Sequence, residues 1–287
     1  MKQKKRTLSV TLLVINDEEN LNNCLSSVKS LADEIIVAVD DQTKDKSADV
    51  ARKFTDNVFV VPHQDNFHIN KKKANEKATK DWVLQLDSDE IVTPELNNEI
   101  KRLLAGDYFG FDIWVSPLKK LLGHRAKPLS IAAAAYFLPR KNLFLGRYLK
   151  HTGQYPDPVI RLFQRGKAFL PGKDVHEQMV VEGPVGWLQG ELDHRATPNF
   201  QRYLIRENRY STLAAKQMKE AGVKVNVVNT INYLFIKPLF TFLSLFIRYR
   251  GFLDGFPGFV FSLYSGLHHA FAYMKLVEMV KYGKTKS

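Results

Sequence analysis

Residues 82–90 of the chain are Trp82-Val83-Leu84-Gln85-Leu86-Asp87-Ser88-Asp89-Glu90. The mainly apolar first half of this stretch predicts a strand that is buried on both faces, and the acids follow where that strand ends. Thr93 then has the side chain expected at the N-cap of a helix, with Pro94 at the first helical position. A buried strand that ends in acids and leads into a capped helix is typical of a parallel sheet.

The residues before this stretch alternate between the periods of strands and helices. Near-continuous apolar runs predict strands at residues 8–15, 34–39 and 58–61. Apolar residues at helical spacing predict helices at residues 21–31, 47–54 and 70–80, the first with Asn16 or Asp17 as its N-cap. Because this alternation implies right-handed crossovers, the sequence predicts an α/β fold with a mostly parallel sheet flanked by helices.

The pattern changes after residue 107. Shorter strands are predicted at residues 108–116, at 159–164 and within 179–192, and a long amphipathic helix is predicted at residues 200–221. Residues 231–274 are rich in Phe, Tyr and Leu, but charged residues, Pro and Gly interrupt every apolar run before it reaches the ~20 residues of a spanning helix. Two interpretations remain: a packed helical pair that covers the sheet, or an aromatic, basic surface in a membrane interface. The aromatic density favours the second.

Basic residues are concentrated in two parts of the chain. The 287 residues carry 42 Lys or Arg and 30 Asp or Glu, and residues 119–173 hold twelve of the basic residues but a single acid. Residues 231–287 hold seven basic residues and two acids. This distribution indicates anionic ligands and an anionic membrane surface, and it says nothing about fold.

The start of the chain superficially resembles a secretory signal, because basic residues precede an apolar run. That run ends in Asn16-Asp17-Glu18-Glu19-Asn20 without a small-residue cleavage site, so we interpret it as a buried strand. The single cysteine, Cys24, excludes an intrachain disulfide. We therefore expect a protein on the cytosolic side.

Acids follow several of the predicted strands. Four segments contain them: residues 16–19, Asp40-Asp41, the loop around Asp65, and residues 87–90. The carboxyl ends of parallel strands meet at one sheet edge, where ligands bind, and carboxylates gathered there need a cation such as Mg²⁺ or Mn²⁺. The loop after the first strand contains no glycine, which excludes a dinucleotide fingerprint and a P-loop. Phosphates would then be held by a metal and by basic residues, and Lys71-Lys72-Lys73 open a predicted helix at the same edge.

Together these segments resemble the family 2 glycosyltransferases, which have a Rossmann-like GT-A fold, and more narrowly the lipopolysaccharide inner-core β-glucosyltransferases. The resemblance covers about residues 8–215. It is carried by residues 9–16 with Glu19-Asn20-Leu21, by residues 34–40 and 81–90, and by an acceptor-side set of Pro156-Asp157, Arg161-Leu162-Phe163, Val175-His176-Glu177 and Asp193-His194. One departure is Gln42-Thr43, which stands where the family has Gly-Ser.

The resemblance implies an inverting, metal-dependent transfer of a hexose, with UDP-glucose as the first donor to consider, to a lipid-linked or lipopolysaccharide-core glycan. Asp40 would bind the nucleobase, Asp87 the ribose or a metal-bound water, and Asp89 the metal that bridges the diphosphate. The predicted nucleotide-binding residues are Asn16, Glu18, Asp40, Lys73 and Asp87, and the predicted ligands of Mg²⁺ or Mn²⁺ are Asp87, Asp89 and His194.

An inverting transfer also needs a general base for the acceptor hydroxyl. Glu177 is the candidate, with Asp174 as the alternative, and Arg161 and His176 are predicted to contact the acceptor or its phosphates. A structural or solvated role is the alternative for Glu177, for His194 and for the lysines.

The predicted domains are a catalytic domain over residues 1–222 and a helical, membrane-interface region over residues 223–287. The catalytic domain divides into a nucleotide-sugar half, 1–107, and an acceptor half, 108–222. The predicted partners are a nucleoside-diphosphate sugar, a glycan acceptor and a membrane surface, without nucleic acid, at the cytoplasmic face of the inner membrane.

Two other functions are compatible with parts of this sequence. A sugar-nucleotide pyrophosphorylase shares the sheet topology but needs a Gly-rich, Arg-bearing loop after the first strand, which residues 16–20 do not provide. A basic protein that binds membranes or nucleic acid through charge would explain the basic segments. It would not explain acids gathered at strand ends.

Overall fold

The computed structural model describes residues 5–107, 109–112, 127–129, 133–172, 178–197 and 199–283. The strands are β1 (Leu8–Val14), β2 (Glu34–Asp40), β3 (Val58–Val61), β4 (Trp82–Asp87), β5 (Glu90–Val92), β6 (Ala135–Leu138), β7 (Arg140–Phe144), β8 (Arg147–Leu149), β9 (Val159–Gln164), β10 (Ala168–Phe169), β11 (Val180–Val181), β12 (Val185–Trp187) and β13 (Leu192–Thr197). The α-helices are α1 (Glu18–Val28), α2 (Ser47–Arg52), α3 (Phe67–Glu76), α4 (Pro94–Ala105), α5 (Phe200–Glu220), α6 (Val227–Ile231), α7 (Lys237–Leu243) and α8 (Gly255–Val277).

Packing divides the chain into two compact units. The first contains residues 1–141 and 156–195, and the second contains residues 142–155 and 196–287. This division differs from the predicted boundary at residue 222, because α5 packs with α8 in the second unit. Whether residues 1–222 form the catalytic domain stays a prediction.

Seven strands of the first unit form one sheet in the order β12-β6-β9-β4-β1-β2-β3. β1 is parallel to β2 and β4, and β2 is parallel to β3, whereas β9 is antiparallel to β4 and β6. The predicted mostly parallel α/β sheet is therefore confirmed. Leu13 of β1 is in register with Ala38 of β2 and Asp87 of β4, so these three strands end at the same edge.

The core of this unit is built from the apolar runs that predicted the strands. β1 and β4 are buried along nearly all of their length. The helices cover them with Leu21, Leu25, Leu96 and Ile100, all fully buried. Burial of one such side chain is worth ~1.5–3 kcal/mol, so this packing fixes the positions of the strand ends.

Two helix starts were predicted from capping residues, and the predicted capping hydrogen bond forms at one of them. Thr93 caps α4 by accepting a hydrogen bond from the Leu96 amide at 3.3 Å, with Pro94 as the first helical residue. Asp17 occupies the N-cap position of α1 but makes no capping bond. Its carboxylate instead accepts a 2.7 Å bond from the Ser88 hydroxyl, so α1 is tied directly to the acidic stretch that follows β4.

Other element boundaries differ from the sequence prediction. α3 begins at Phe67, three residues before its predicted start, because the Asn66 side chain caps it through the His68 amide. β5 to β8, which have three to five residues each, were not predicted. The predicted strand at residues 108–116 falls mostly outside the described residues.

The second unit consists largely of helices. Its C-terminal part contains Val227–Arg248, which in the described part of the chain is the one helical segment long and apolar enough to cross a membrane. The sequence has no uninterrupted apolar run of that length, as predicted, but Lys237-Pro238 interrupts the run without ending the helix. Lys237-Pro238 directly follows the π-helical turn Asn232–Ile236, and the helix continues through it; the Lys237 ammonium lies 3.8 Å from the centre of the Tyr233 ring.

α8 packs closely against this segment. A Cβ atom added at Gly266 would lie 2.5 Å from the Pro238 carbonyl oxygen, so the two helices approach to a distance that only glycine permits at this point. Several large side chains of the segment and of α8 are nevertheless exposed. They include Phe235 (66%), Phe240 (71%) and Phe256 (72%).

Candidate active site

Asp87, at the end of β4, is held by two cations. Its carboxylate contacts the Lys71 ammonium, and its Oδ2 lies 2.5 Å from a guanidinium nitrogen of Arg161. Burial alone would raise the pKa of Asp87, but the charges of Arg161 and Lys71 outweigh it and hold that pKa well below its usual range. Asp87 is therefore an ionised carboxylate whose charge is compensated by side chains of the protein.

Glu90 is the centre of the same ion-pair network. Its side chain is fully buried, and Oε1 accepts bonds from Arg161 at 2.8 Å and from Arg140 at 3.1 Å. Its other oxygen accepts the Asp87 amide at 3.0 Å. Arg140 also binds Asp157 at 2.5 Å. The carboxylates of Asp87, Glu90 and Asp157 thus alternate with the cations of Lys71, Arg161 and Arg140. The network contains three charges of each sign and is neutral.

Asp89 has a different environment. Its side chain is 19% exposed, and Oδ2 lies 3.5 Å from His194 Nε2. β13 brings His194 there by pairing with β5, and the Arg195 amide holds the Asp89 carbonyl at 2.8 Å. Burial raises the pKa of Asp89, but the hydrogen bond and charge of His194 outweigh it, leaving the pKa below its ordinary value. The structure thus brings together two residues that the sequence analysis predicted as metal ligands.

Asp40, at the end of β2, is almost fully buried. Its Oδ1 accepts the Gln42 amide at 3.0 Å, and both of its oxygens lie close to Nδ1 of His63, at 3.1 and 3.0 Å. Gln42-Thr43, which stands where the family has Gly-Ser, therefore still provides a backbone hydrogen bond to Asp40. His63 was not singled out by the sequence analysis.

Asn16 and Glu18, the other predicted nucleotide-binding residues at this edge, are bonded to the loop before α2. Oδ1 of Asn16 accepts the Lys44 amide at 2.8 Å, and Oε2 of Glu18 accepts the Lys46 amide at 2.9 Å. Asn16 has a positive φ of 48°, which asparagine tolerates better than most residues. Contacts of these two side chains with a nucleotide stay a prediction.

The lysines of α3 are not equivalent. Lys71 is buried and contacts Asp87, whereas the Lys73 ammonium donates a 3.0 Å bond to Asn70 on its own helix. A signal for this difference exists in the sequence, because Lys71 lies three residues before the buried Ala74 and so on the inward face of the helix. The predicted nucleotide contact of Lys73 stays a prediction.

The remaining predicted residues fall into two groups. Asp174, His176 and Glu177 lie outside the described residues. Arg161 is described, and its guanidinium is engaged by Asp87 and Glu90, whose charges outweigh its burial and raise its pKa. A contact between Arg161 and an anion on the acceptor, which stays a prediction, would have to compete with these ion pairs.

The donor set at this edge fits a hard divalent cation that binds together with a phosphate ligand. Mg²⁺ and Mn²⁺ commonly take one or two carboxylates and complete their shell with substrate phosphates and water. Asp89, partly exposed and ionised, offers such a carboxylate. No group of three or more His, Cys, Asp or Glu side chains among the described residues is arranged to hold a metal ion without such a ligand.

Comparison with known proteins gives relatives along nearly the full chain. The lipopolysaccharide core biosynthesis glycosyltransferase LpsC of Rhizobium meliloti is 27% identical over 93% of this chain and 90% of its own length. An uncharacterised glycosyltransferase of Rickettsia typhi is 26% identical over 96% of this chain and 86% of its own length.

Among solved structures, one similar chain is the mannosyltransferase PcManGT from Pyrobaculum calidifontis, in complex with GDP-Man and Mn²⁺. The match covers 99% of this chain and 89% of that one, at 9% identity and a TM-score of 0.47. A likeness at this score carries no argument about the activity of the present chain.

The family comparison is decisive. The model named "Glycosyl transferase family 2" matches residues 9–168, which is more than half of the chain and includes β1 to β4 with Asp40, Asp87, Asp89 and Arg161. The α/β fold with its mostly parallel sheet agrees with the GT-A class expected of that family. The chain is therefore an enzyme of the transferase class and belongs to glycosyl transferase family 2.

Proposed function

We propose that this enzyme transfers a hexose, with glucose first in order of testing, from a nucleoside-diphosphate sugar to a lipid-linked or lipopolysaccharide-core glycan with inversion. The observation that carries the proposal is the placement of ionised Asp89 and buried Asp40 at one edge of a family 2 sheet. The choice of acceptor is supported by the name of the Rhizobium meliloti relative. Family membership favours this function over the pyrophosphorylase and the non-enzymatic binding protein.

The chemistry assigns one task to each group. The acceptor hydroxyl oxygen forms a bond to the anomeric carbon, the bond from that carbon to the diphosphate oxygen breaks, and the nucleoside diphosphate leaves. A carboxylate takes the hydroxyl proton, and Glu177, with Asp174 as the alternative, is our candidate for that base.

Asp89, with Asp87 and His194 beside it, would hold Mg²⁺ or Mn²⁺ with the diphosphate of the donor. When bound, such an ion offsets the negative charge that develops on the leaving diphosphate. Asp40 would accept an N–H of the nucleobase, and Asn16, Glu18 and Lys73 would line the nucleotide. Arg161 and His176 are proposed to contact the acceptor.

We expect UDP and Mn²⁺ together to raise the Tm by several degrees, and either one alone to raise it far less. The reason is that the protein supplies too few ligands for the metal without the diphosphate, and the diphosphate lacks a charge partner without the metal. Ligand at 100 times its Kd stabilises the native state by about 2.7 kcal/mol. Differential scanning fluorimetry with UDP, GDP, ADP and CDP, each with and without Mn²⁺, measures the effect. The proposal fails if none of the four shifts the Tm.

We propose that the second unit carries the surface that binds the membrane. We name Phe235, Leu239, Phe240, Phe252 and Phe256 the C-terminal apolar surface, because all are at least 50% exposed. Basic residues accompany them, including Lys237, Arg248 and Arg250. Exposed aromatic side chains with neighbouring cations are typical of proteins that lie in the interface of an anionic membrane. We therefore propose that the enzyme binds the cytoplasmic face of the inner membrane through this surface.

Replacing Phe240 and Phe256 together by Ser should weaken binding to anionic vesicles roughly tenfold or more, since burying one Phe is worth ~1.5–3 kcal/mol. The Tm should change little, because both side chains are exposed. Vesicle sedimentation measures binding, and Phe169→Ser is the matched control, since Phe169 is an exposed aromatic residue (45%) of the first unit. Equal losses in both variants would contradict the assignment. Alkaline carbonate releases proteins that lie on a membrane. If only detergent releases this protein from cell membranes, Val227–Arg248 spans the membrane.

A further inference from the structure

His63 occupies a defined position beside the proposed nucleobase acid. It follows β3 by two residues, and β3 pairs with β2 so that Val61 lies next to Asp40. The His63 amide donates a 3.0 Å bond to the Asp41 carboxylate, which fixes the loop. The ring then lies with Nδ1 within 3.1 Å of both oxygens of Asp40.

The contact determines which ring nitrogen carries the proton. An ionised carboxylate only accepts hydrogen bonds, so Nδ1 of His63 is the donor and its proton lies on that nitrogen. The Asp40 side chain is 5% exposed, and burial of a carboxylate is costly unless donors surround it. His63 and the Gln42 amide are two such donors. Of the roughly four acceptor positions on a carboxylate, they leave room for at least one more N–H.

We infer that His63 is a positioning and specificity-determining residue of the donor site, which orients the Asp40 carboxylate so that it accepts a ring N–H of the nucleobase. This inference rests on the proposed function. Uracil and guanine carry a ring N–H where cytosine and adenine have an acceptor nitrogen. A carboxylate held in this orientation accepts from the first pair and has no donor to offer the second, whereas a rotated Asp40 discriminates poorly between them.

The chain contains a matched control for this pair. In the second unit, Nδ1 of His151 lies 2.9 Å from Oδ1 of Asp254, and the exposures of the two side chains, 34% and 2%, nearly equal those of His63 and Asp40. A variant of His151 therefore breaks a histidine–aspartate pair of similar distance and exposure outside the proposed donor site.

The test measures the Kd of UDP and CDP, with Mn²⁺ present, by titration calorimetry for the wild type, His63→Ala, His63→Asn and His151→Ala. Asparagine places its amide nitrogen near the position of Nδ1, so it can restore the donor. We expect His63→Ala to bind UDP about tenfold more weakly and to lose most of the preference for UDP over CDP. His63→Asn should recover most of both, and His151→Ala should keep the UDP:CDP ratio even if its Tm falls. In turnover assays, His63→Ala should raise the donor KM and leave kcat nearly unchanged.

Three results would overturn the inference. One is a His63→Ala protein that keeps the wild-type UDP affinity and UDP:CDP ratio, and another is His63→Asn behaving like His63→Ala. The third is a wild type that prefers CDP. If the wild type binds neither nucleotide, nor GDP or ADP, the proposed function itself fails and this inference with it. Binding by the wild type with unaltered His63 variants overturns the inference alone.

Discussion

Asp89→Ala lowers sugar transfer at least about a hundredfold and leaves the fold intact. We expect this because Asp89 offers the partly exposed, ionised carboxylate that fits a metal, and even partners one shell removed from a metal cost 10–100-fold when mutated. Its side chain contributes little to packing, and its backbone carbonyl, which accepts the Arg195 amide, is retained in the variant. Donor hydrolysis and glycan transfer measure activity, and the Tm reports the fold.

Asp89→Asn separates charge from shape, because the amide has the same size and lacks the negative charge. We expect it to fail in transfer almost as severely as Asp89→Ala. Glu191→Gln is the matched control: Glu191 is also a partly exposed acid (29%), it pairs with Lys141 at 3.0 Å, and it has no proposed part in binding or catalysis. Transfer at the wild-type rate by Asp89→Asn would rule out the metal role, and a collapsed Tm for Asp89→Ala would make the residue structural.

The stretch Asp87-Ser88-Asp89-Glu90 shows how far sequence alone leads. The burial of β4 was predictable, because apolar residues on both faces leave no other interpretation of so short a run. The different roles of the acids, Asp87 and Glu90 in ion pairs and Asp89 as the proposed metal ligand, were not predictable. Asp87 and Glu90 are neutralised by Arg161 and Arg140, which lie 50 to 74 residues further along the chain, and no local pattern announces pairs of that separation.

The same limit explains two other differences. The sequence predicted Lys73 as the lysine at the nucleotide, although the helical face of Lys71 distinguishes it from Lys72 and Lys73. His63 carries no local signal at all, because its partner Asp40 is reached only when β3 pairs with β2. Sequence periods therefore predict which elements form, while the chemistry at their ends depends on which elements become neighbours.

Glu90→Gln destabilises the protein by about 3–5 kcal/mol, the range found when one partner of a buried ion pair is removed. Glu90 is fully buried and accepts bonds from Arg140, Arg161 and the Asp87 amide. Without its charge, three cations face two carboxylates, and the two arginines lose their fully buried partner. Urea unfolding measures the loss, and a change below about 1 kcal/mol would show that the network does not depend on this charge.

A second substitution tests whether charge balance is the cause. Arg140→Gln alone should also destabilise, since it leaves Glu90 and Asp157 with one cation fewer. The double variant Glu90→Gln/Arg140→Gln again has equal numbers of both charges, so its loss should be smaller than the sum of the two single losses by 0.5–3 kcal/mol, the usual coupling of residues in one network. Additive losses would mean that each side chain acts through its own packing. Glu90 and Asp89 are adjacent in sequence, yet Glu90→Gln should act first on stability and Asp89→Asn on transfer, because one carboxylate is enclosed by arginines and the other faces the edge where the nucleotide is proposed to bind.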